Sequence, residues 1–294
     1  MQNSKRIILV TGATGQQGGA VARALLSAGW LVRGFTRDTT SAAARELMAM
    51  GVEMKAGDLG NRASLDEAME GVYGVFSVHP GPLANNQDET QAGKNVTDAA
   101  QAHQVTHLVY SSAIGVDQAE ETGIQLEKAA VEKYIRHSGI SYTILRPSAF
   151  MENFLDPRFG VQGSSFITAA YPTTQMQLIA LEDIGQLAAL AFAHPDRFNH
   201  QVLELAGDTL TPVQMAEAMS QTTGLEMKYE QLPMEKLRQL NPRFAKGYEV
   251  LNANKTTRAD EASLRKIHPG LLTFDAWLRK KGAAKIKARN SGVV

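Results

Sequence analysis

The sequence contains no cysteine. That absence excludes disulfides, a thiolate nucleophile and any cysteine-based zinc or iron–sulfur centre. Net charge is missing as well: 30 basic side chains face 30 acidic ones, for a formal charge of +0 at pH 7. A chain without a global field has nothing to draw it to nucleic acid or to an anionic membrane, so neither is an expected partner. Long apolar runs are also absent. Residues 7–10 follow Lys5 and Arg6 but are too few for the apolar region of a secretory signal, so none is expected. No stretch approaches the roughly 18 consecutive apolar residues of a membrane span. The expected location is the cytoplasm. The histidines show no metal-ligand spacing, and no metal is expected.

What is present is an ordinary globular composition, 44% hydrophobic and 20% charged over 294 residues. That length suffices for one large core, or for a main domain with a smaller one. The first half alternates short apolar runs with helix-like stretches. Strands are expected at 6–11, 31–36, 52–56, 74–78, 107–111 and 141–146. Helices are expected at about 16–28, 41–50, 61–70, 88–103 and 120–138. Most of the strands are continuously apolar, as in a parallel sheet covered on both faces. Gly29, Gly51, Gly71 and Gly139 stand where left-handed helix caps are wanted, and Asn61 and Asp88 can cap helix starts. The pattern predicts an α/β fold with a doubly wound parallel sheet over residues 1–150.

After Arg146-Pro147 the rhythm changes. A loop-rich stretch leads to a helix at 181–193, a strand around 202–206, a helix after Thr211-Pro212, and further elements to about 278. This predicts a smaller, interleaved α+β C-terminal lobe over 151–280. Arg279, Lys280, Lys281, Lys285, Lys287 and Arg289 follow without an acidic residue, so 281–294 reads as a basic, flexible tail.

The most informative string is Thr11-Gly12-Ala13-Thr14-Gly15-Gln16-Gln17-Gly18, between the first strand and the first helix. Glycines in that place serve a tight turn, backbone approach to a pyrophosphate, and helix–strand packing. A helix N-terminus behind them offers unpaired N–H groups to phosphate. Gly12, Thr14, Gly15, Gln16, Gln17 and Gly18 are therefore expected to hold an NAD(P) dinucleotide on a Rossmann-type sheet. A purely structural turn is the alternative. Arg37 and Asp38 end the second strand, 19 and 20 positions after Gly18. An acid there favours NAD(H), whereas a base accommodates the 2′-phosphate of NADP(H). With the strand ending at Thr36, Arg37 comes first, so NADP(H) is preferred and NAD(H) remains possible. The alternative is that Arg37 is a solvated loop charge.

Two long strings carry a family resemblance: Val10-Thr-Gly-Ala-Thr-Gly-Gln-Gln-Gly-Gly19 and Leu145-Arg-Pro-Ser-Ala-Phe-Met-Glu-Asn-Phe154. With Thr36-Arg37-Asp38, Gly57-Asp58 and the 272–278 segment, they resemble the NmrA-like branch of the atypical short-chain dehydrogenases/reductases. Typical members of the wider superfamily use a Tyr-x-x-x-Lys pair, and none of the seven tyrosines has a lysine four residues on. Lys128, in Glu127-Lys128-Ala129-Ala130-Val131-Glu132, is similar to a Lys-x-x-x-Glu pattern of the NmrA-like group. The resemblance implies a catalytic acid/base or nicotinamide-positioning role for Lys128. Glu132 at i+4 could hold its ammonium, and an ordinary surface pair is the alternative.

Rossmann geometry places ligands at the carboxyl ends of the strands. That adds Asp58 and Leu59 after the third strand, then Ser77, Val78, His79 and Pro80 after the fourth. Ser111 and Ser112 end the fifth, and Pro147, Phe150 and Asn153 follow the sixth. His79 is the only histidine on this rim, so it is either a proton relay or a plain loop residue. Two functions fit these residues. One is an NADPH-dependent reductase of a small planar electrophile (a quinone, enone or aromatic carbonyl). The other is a non-catalytic NADP(H)-sensing regulator acting through a protein partner.

Overall fold

The computed structural model describes residues 5–79, 88–156 and 160–290. The chain opens with β1 (Ile7–Thr11), α1 (Gln16–Ser27), β2 (Leu31–Thr36), α2 (Ala42–Ala49), β3 (Glu53–Ala56) and α3 (Arg62–Met69). It continues with β4 (Val72–Ser77), α4 (Glu89–Ala102), β5 (His107–Ser111), α5 (Ala119–Thr122), α6 (Leu126–Ser138) and β6 (Tyr142–Pro147). Next come β7 (Ala149–Phe150), β8 (Val161–Gln162), β9 (Ser165–Thr168), β10 (Met176–Ile179), α7 (Leu181–Ala193) and α8 (Pro195–Phe198). The rest is β11 (Gln201–Leu205), β12 (Asp208–Leu210), α9 (Pro212–Thr223), β13 (Lys228–Gln231) and five further helices. These are α10 (Met234–Leu240), α11 (Pro242–Asn252), α12 (Glu261–Ile267), α13 (Phe274–Trp277) and α14 (Ala283–Asn290).

The main sheet has seven strands in the order β11-β6-β5-β4-β1-β2-β3. β1 pairs in parallel with both β2 and β4, and β2–β3, β4–β5 and β5–β6 are parallel as well. The chain winds outward from β1 to β3 and then crosses back to β4. The carboxyl ends of β1 and β4 thus form the switch point of a doubly wound, Rossmann-type sheet. The local signals act as expected: Asn61 accepts from Ser64 N–H and Asp88 from Gln91 N–H. Gly29, Gly51, Gly71 and Gly139 all have positive φ.

Three expectations change. The helix expected over 120–138 is two helices, because Gly123 and Gln125 both take left-handed conformations, φ 65° and 63°. Gly123 N–H caps α5 by donating to Ala119 O. The strand expected in the C-terminal lobe near 202–206 is β11, the edge strand of the main sheet beside β6, where His200 N–H donates to Tyr142 O. The basic stretch expected as a flexible tail is helical through 290. Its charges leave room for an inward face: Ala283 and Ile286, three apart, are buried.

Two compact units result: Met1–Val116, Gln125–Arg146 and Ile184–Leu203 make the first, and Asp117–Ile124, Pro147–Asp183 and Glu204–Val294 the second. The first has a core of sheet and helix residues that includes Leu9, Phe35, Val75, Val96, Leu108, Val131 and Ile144. The second holds two three-stranded sheets, β12-β10-β7 and β13-β9-β8. Its core gathers Phe166, Phe154, Phe274 and Trp277, each ring in contact with the next. Among the described residues no helix is long and apolar enough to cross a membrane.

Candidate functional site

The turn between β1 and α1 is built for close approach. Gly12 has φ of +56°, and a Cβ there would lie 3.3 Å from Val78 Cγ1. Gly15 N–H closes the turn on Gly12 O at 2.9 Å. Gly18 packs the helix onto the turn so tightly that a Cβ would sit 2.6 Å from Gly12 C and 2.9 Å from Thr11 O. Gly15 is the N-cap of α1 and, having no side chain, supplies no cap hydrogen bond. The first-turn N–H groups at Gln16, Gln17 and Gly18 have no partner within the helix, and the helix dipole favours an anion beside them. Thr11, buried at the end of β1, locks the floor of the turn. Its Oγ1 donates to Val78 O at 2.9 Å and accepts Val78 N–H at 2.8 Å.

At the end of β2 the two charged neighbours behave differently. Asp38 accepts from Thr40 N–H at 2.7 Å and Thr40 Oγ1 at 2.6 Å. These bonds hold its carboxyl below the usual range, those to Thr40 being the main cause. Arg37 is exposed and makes no hydrogen bond or ion pair among the described residues. The acid is thus spent on its own turn, while the guanidinium is free. The Thr14 and Thr36 hydroxyls meet at 3.1 Å, joining the glycine turn to the end of β2.

A buried polar cluster occupies the carboxyl ends of β4 and β5 under α4 and α6. On α6 the buried positions are Lys128, Val131, Glu132 and Ile135, one i, i+3, i+4, i+7 face that carries two charges inward. Gly93 lets α4 approach that face: a Cβ there would sit 2.6 Å from Val131 Cγ1 and 3.1 Å from His79 Cε1. One turn earlier on α4, Glu89 reaches Lys128 Nζ with Oε1 at 2.5 Å. The same oxygen accepts a long bond from Tyr110 OH at 3.5 Å and lies 3.9 Å from His79 Nδ1.

The surroundings fix the charge states. Burial pushes His79 down to about 3, with Lys128 adding to the effect, so its imidazole is neutral. Burial, then Glu89 and Glu132, push the Tyr110 phenol well up, so it keeps its proton. Glu132 does not hold Lys128, as the i,i+4 spacing suggested. It accepts from Arg146 Nε at 2.8 Å and Nη2 at 2.7 Å, and from Arg136 at 3.2 Å. Two acids therefore serve two different cations: the partly buried Glu89 with Lys128, the buried Glu132 with Arg146.

Residues 4–278 match the model of the NmrA-like family. The chain belongs to this family. Among curated relatives, it is 30% identical to an NAD(P)H azoreductase of Xenophilus azovorans, covering 79% of each chain. It is 29% identical to Quinone oxidoreductase 2 of Escherichia coli K12, covering 77% of this chain and 78% of that protein. Among solved structures, NmrA, described as a negative transcriptional regulator in complex with NADP, superposes with a TM-score of 0.79 at 22% identity, covering 98% of both chains. That likeness shows a shared fold.

In this NmrA-like chain the other expected site residues fall in several places. Ser111 donates to Gln17 Oε1 at 2.6 Å, tying the end of β5 to the start of α1. Ser77 Oγ meets His79 Nε2 at 3.0 Å. Ser112 Oγ is buried without a hydrogen-bond partner. Asp58 closes a turn by accepting Gly60 N–H at 2.7 Å, and the Leu59 side chain belongs to the core of the first unit. Pro147 ends β6, Phe150 lies on β7 opposite Ile179, and Asn153 sits in a 3₁₀ turn at Met151–Leu155; all three belong to the second unit. Pro80 lies outside the described residues.

Sequence reasoning placed Thr11 at the start of the turn but not its bonds to Val78, and missed Glu89, Tyr110 and Arg146 as parts of these clusters. A usable signal existed for Glu89, since it precedes Gly93 by one helical turn. No local spacing connects it to Lys128, 39 positions later.

Proposed function

We propose that this NmrA-like protein is an NADPH-dependent reductase of small planar electrophiles such as quinones, enones and aromatic carbonyls. The turn fits a dinucleotide: a glycine cradle that a Cβ would fill, an uncapped helix N-terminus, and the exposed Arg37, which makes no ion pair among the described residues, just past β2. Gly12, Thr14 and Gly15 through Gly18 would hold the pyrophosphate, and Arg37 would bind the 2′-phosphate. When bound, NADPH supplies hydride. The chain's own task is then to position the acceptor and hold a proton for it.

The observation that carries the catalytic reading is the buried Lys128–Glu89 pair beside neutral His79 at the ends of β4 and β5. A buried ion pair is a poor way to stabilise a fold, because desolvation offsets its attraction. Ionisable groups gathered there suit a proton-handling role better than a packing one. The azoreductase and quinone oxidoreductase relatives support the same class.

One feature favours a second reading, a regulator that binds NADP(H) without turnover. The Lys128 ammonium is already neutralised by Glu89, and no Tyr-x-x-x-Lys pair stands in reserve. The experiment is an NADPH-oxidation screen over quinones, aromatic aldehydes and azo compounds with a cofactor-only control. Turnover above the control supports the reductase. Tight NADPH binding with no turnover across the panel overturns it in favour of the regulator.

A further inference from the structure

His79 Nδ1 is a buried polar atom with no hydrogen-bond partner among the described residues. An atom of that kind is costly if it stays unsatisfied, so its surroundings matter. Its described neighbours are these: Nε2 meets Ser77 Oγ, Tyr110 lies 5.6 Å away centroid to centroid, and Gly93 leaves room for Cε1. Among the described residues, the acidic oxygen facing Nδ1 is Glu89 Oε1 at 3.9 Å, just beyond hydrogen-bond range.

Electrostatics selects the tautomer. A bare Nδ1 lone pair facing a carboxylate is repelled, whereas Nδ1–H is attracted, so Ser77 O–H donates to Nε2 and Nδ1 carries the proton. Glu89 Oε1 thus faces the Lys128 ammonium, which holds it here at 2.5 Å, a distant Tyr110 hydroxyl at 3.5 Å, and the waiting imidazole N–H. The flexible carboxylate stem of Glu89 starts at the first residue of α4, whose cap is Asp88, so it can swing without disturbing the helix start.

We propose that Glu89 is a two-seat positioning residue, whose move from the Lys128 ammonium onto the His79 Nδ1–H frees Lys128 to donate to a bound electrophile. This rests on the reading of Lys128 as the proton donor. Lys128 is paired in the resting protein and becomes available only when Glu89 has somewhere else to go. His79 supplies that place while remaining neutral, so the move shifts no proton by itself. Tyr110, protonated and lying beneath the ammonium at 5.8 Å from ring centroid to Nζ, gives the released cation a partly polar face to rest on.

The test needs neither cofactor nor substrate. In histidine-selective ¹⁵N-labelled protein, the His79 ring resonances are assigned by their loss in His79→Gln. Wild type is then compared with Lys128→Met and Lys128→Arg. Lys128→Met removes the first seat, so Glu89 should settle on His79. The Nδ1–H proton should then move downfield and exchange more slowly with solvent. Lys128→Arg keeps the first seat and should leave His79 as in wild type. If Lys128→Met does not fold, Lys128→Gln, which grips Glu89 only weakly, should give the same shift at smaller size. An unchanged His79 Nδ1–H in a folded Lys128→Met or Lys128→Gln protein overturns the assignment, as does an Nε2–H tautomer in wild type. A failed turnover screen overturns the reductase reading alone, because this resonance is read in protein without cofactor.

Discussion

Thr11 and Val78 exchange two hydrogen bonds across the carboxyl ends of β1 and β4, with Thr11 Oγ1 as both donor and acceptor. This joins the two strands at the switch point and fixes Val78 against Gly12. Thr11→Val keeps the shape and removes both bonds, leaving Val78 N–H buried without a partner. The loss should be about 1–3 kcal/mol in urea unfolding. Dinucleotide affinity should drop with it, as the turn loosens. Unchanged stability would show that the clasp is dispensable.

The glycines of the turn differ in tolerance. Gly15 has an extended backbone, φ −87° and ψ 178°, that any residue adopts. Gly18 has no room for a Cβ. Gly18→Ala should therefore reduce NADPH binding by more than Gly15→Ala in calorimetry, and should also lower the thermal midpoint. Equal effects would contradict the packing argument.

Cofactor preference turns on Arg37. With Asp38 tied to Thr40, NADPH should bind more tightly than NADH, and Arg37→Ala should shrink the gap. A charge-assisted contact of roughly 1.5–3 kcal/mol corresponds to about one to two decades in affinity. Equal affinity of the wild type for the two cofactors would sink the assignment.

Acid should destabilise the protein through two buried imidazoles. Burial lowers His79 to about 3 and His107 to about 4, and His107 is enclosed by the Ser141 and Thr143 hydroxyls. Between those values and an unfolded value of about 6.5 the unfolded chain binds more protons than the folded one. Stability is therefore whole above that range and is lost as pH falls through it, at up to about 1.4 kcal/mol per pH unit for each histidine. Urea unfolding across the range should show the slope, and His107→Gln should reduce it. A flat profile in wild type would contradict neutral burial.

Much of the fold could be read along the chain, since its signals are local. Continuous apolar strands, Asn61 and Asp88 as caps, and Gly29, Gly51, Gly71 and Gly139 after helices each act within a few residues. What escaped depends on distant partners. β11 is short and only partly apolar, and becomes a strand of the main sheet because the edge of β6 is open to it. The helix break at Gly123–Gln125 requires a non-glycine left-handed residue, which propensity disfavours. The i,i+4 rule pointed Lys128 to Glu132, but a buried arginine on β6 outcompetes it with two bonds in a fixed fork.

That division of partners separates the two acids experimentally. Glu132→Gln removes the carboxylate charge that accepts from Arg146 Nε and Nη2, and should lower stability in urea unfolding by more than Glu89→Gln does. Glu89→Gln weakens the grip on Lys128 and should act mainly on turnover, changing kcat and its pH profile with stability and NADPH affinity little changed. Similar profiles for the two variants in unfolding and kinetics would show that the clusters are one structural network.

The central claim is that Lys128 holds the proton for reduction by NADPH. Steady-state kinetics and cofactor binding on Lys128→Met, with the best acceptor from the screen, test it most directly. The substitution keeps the stem's packing and removes the charge and the donor. The account predicts a fall in kcat of roughly 10²–10⁴, the range for a positioned acid, with NADPH affinity near that of wild type. Wild-type kcat in a folded Lys128→Met protein would contradict it and return Lys128 to the role of a buried ion-pair partner.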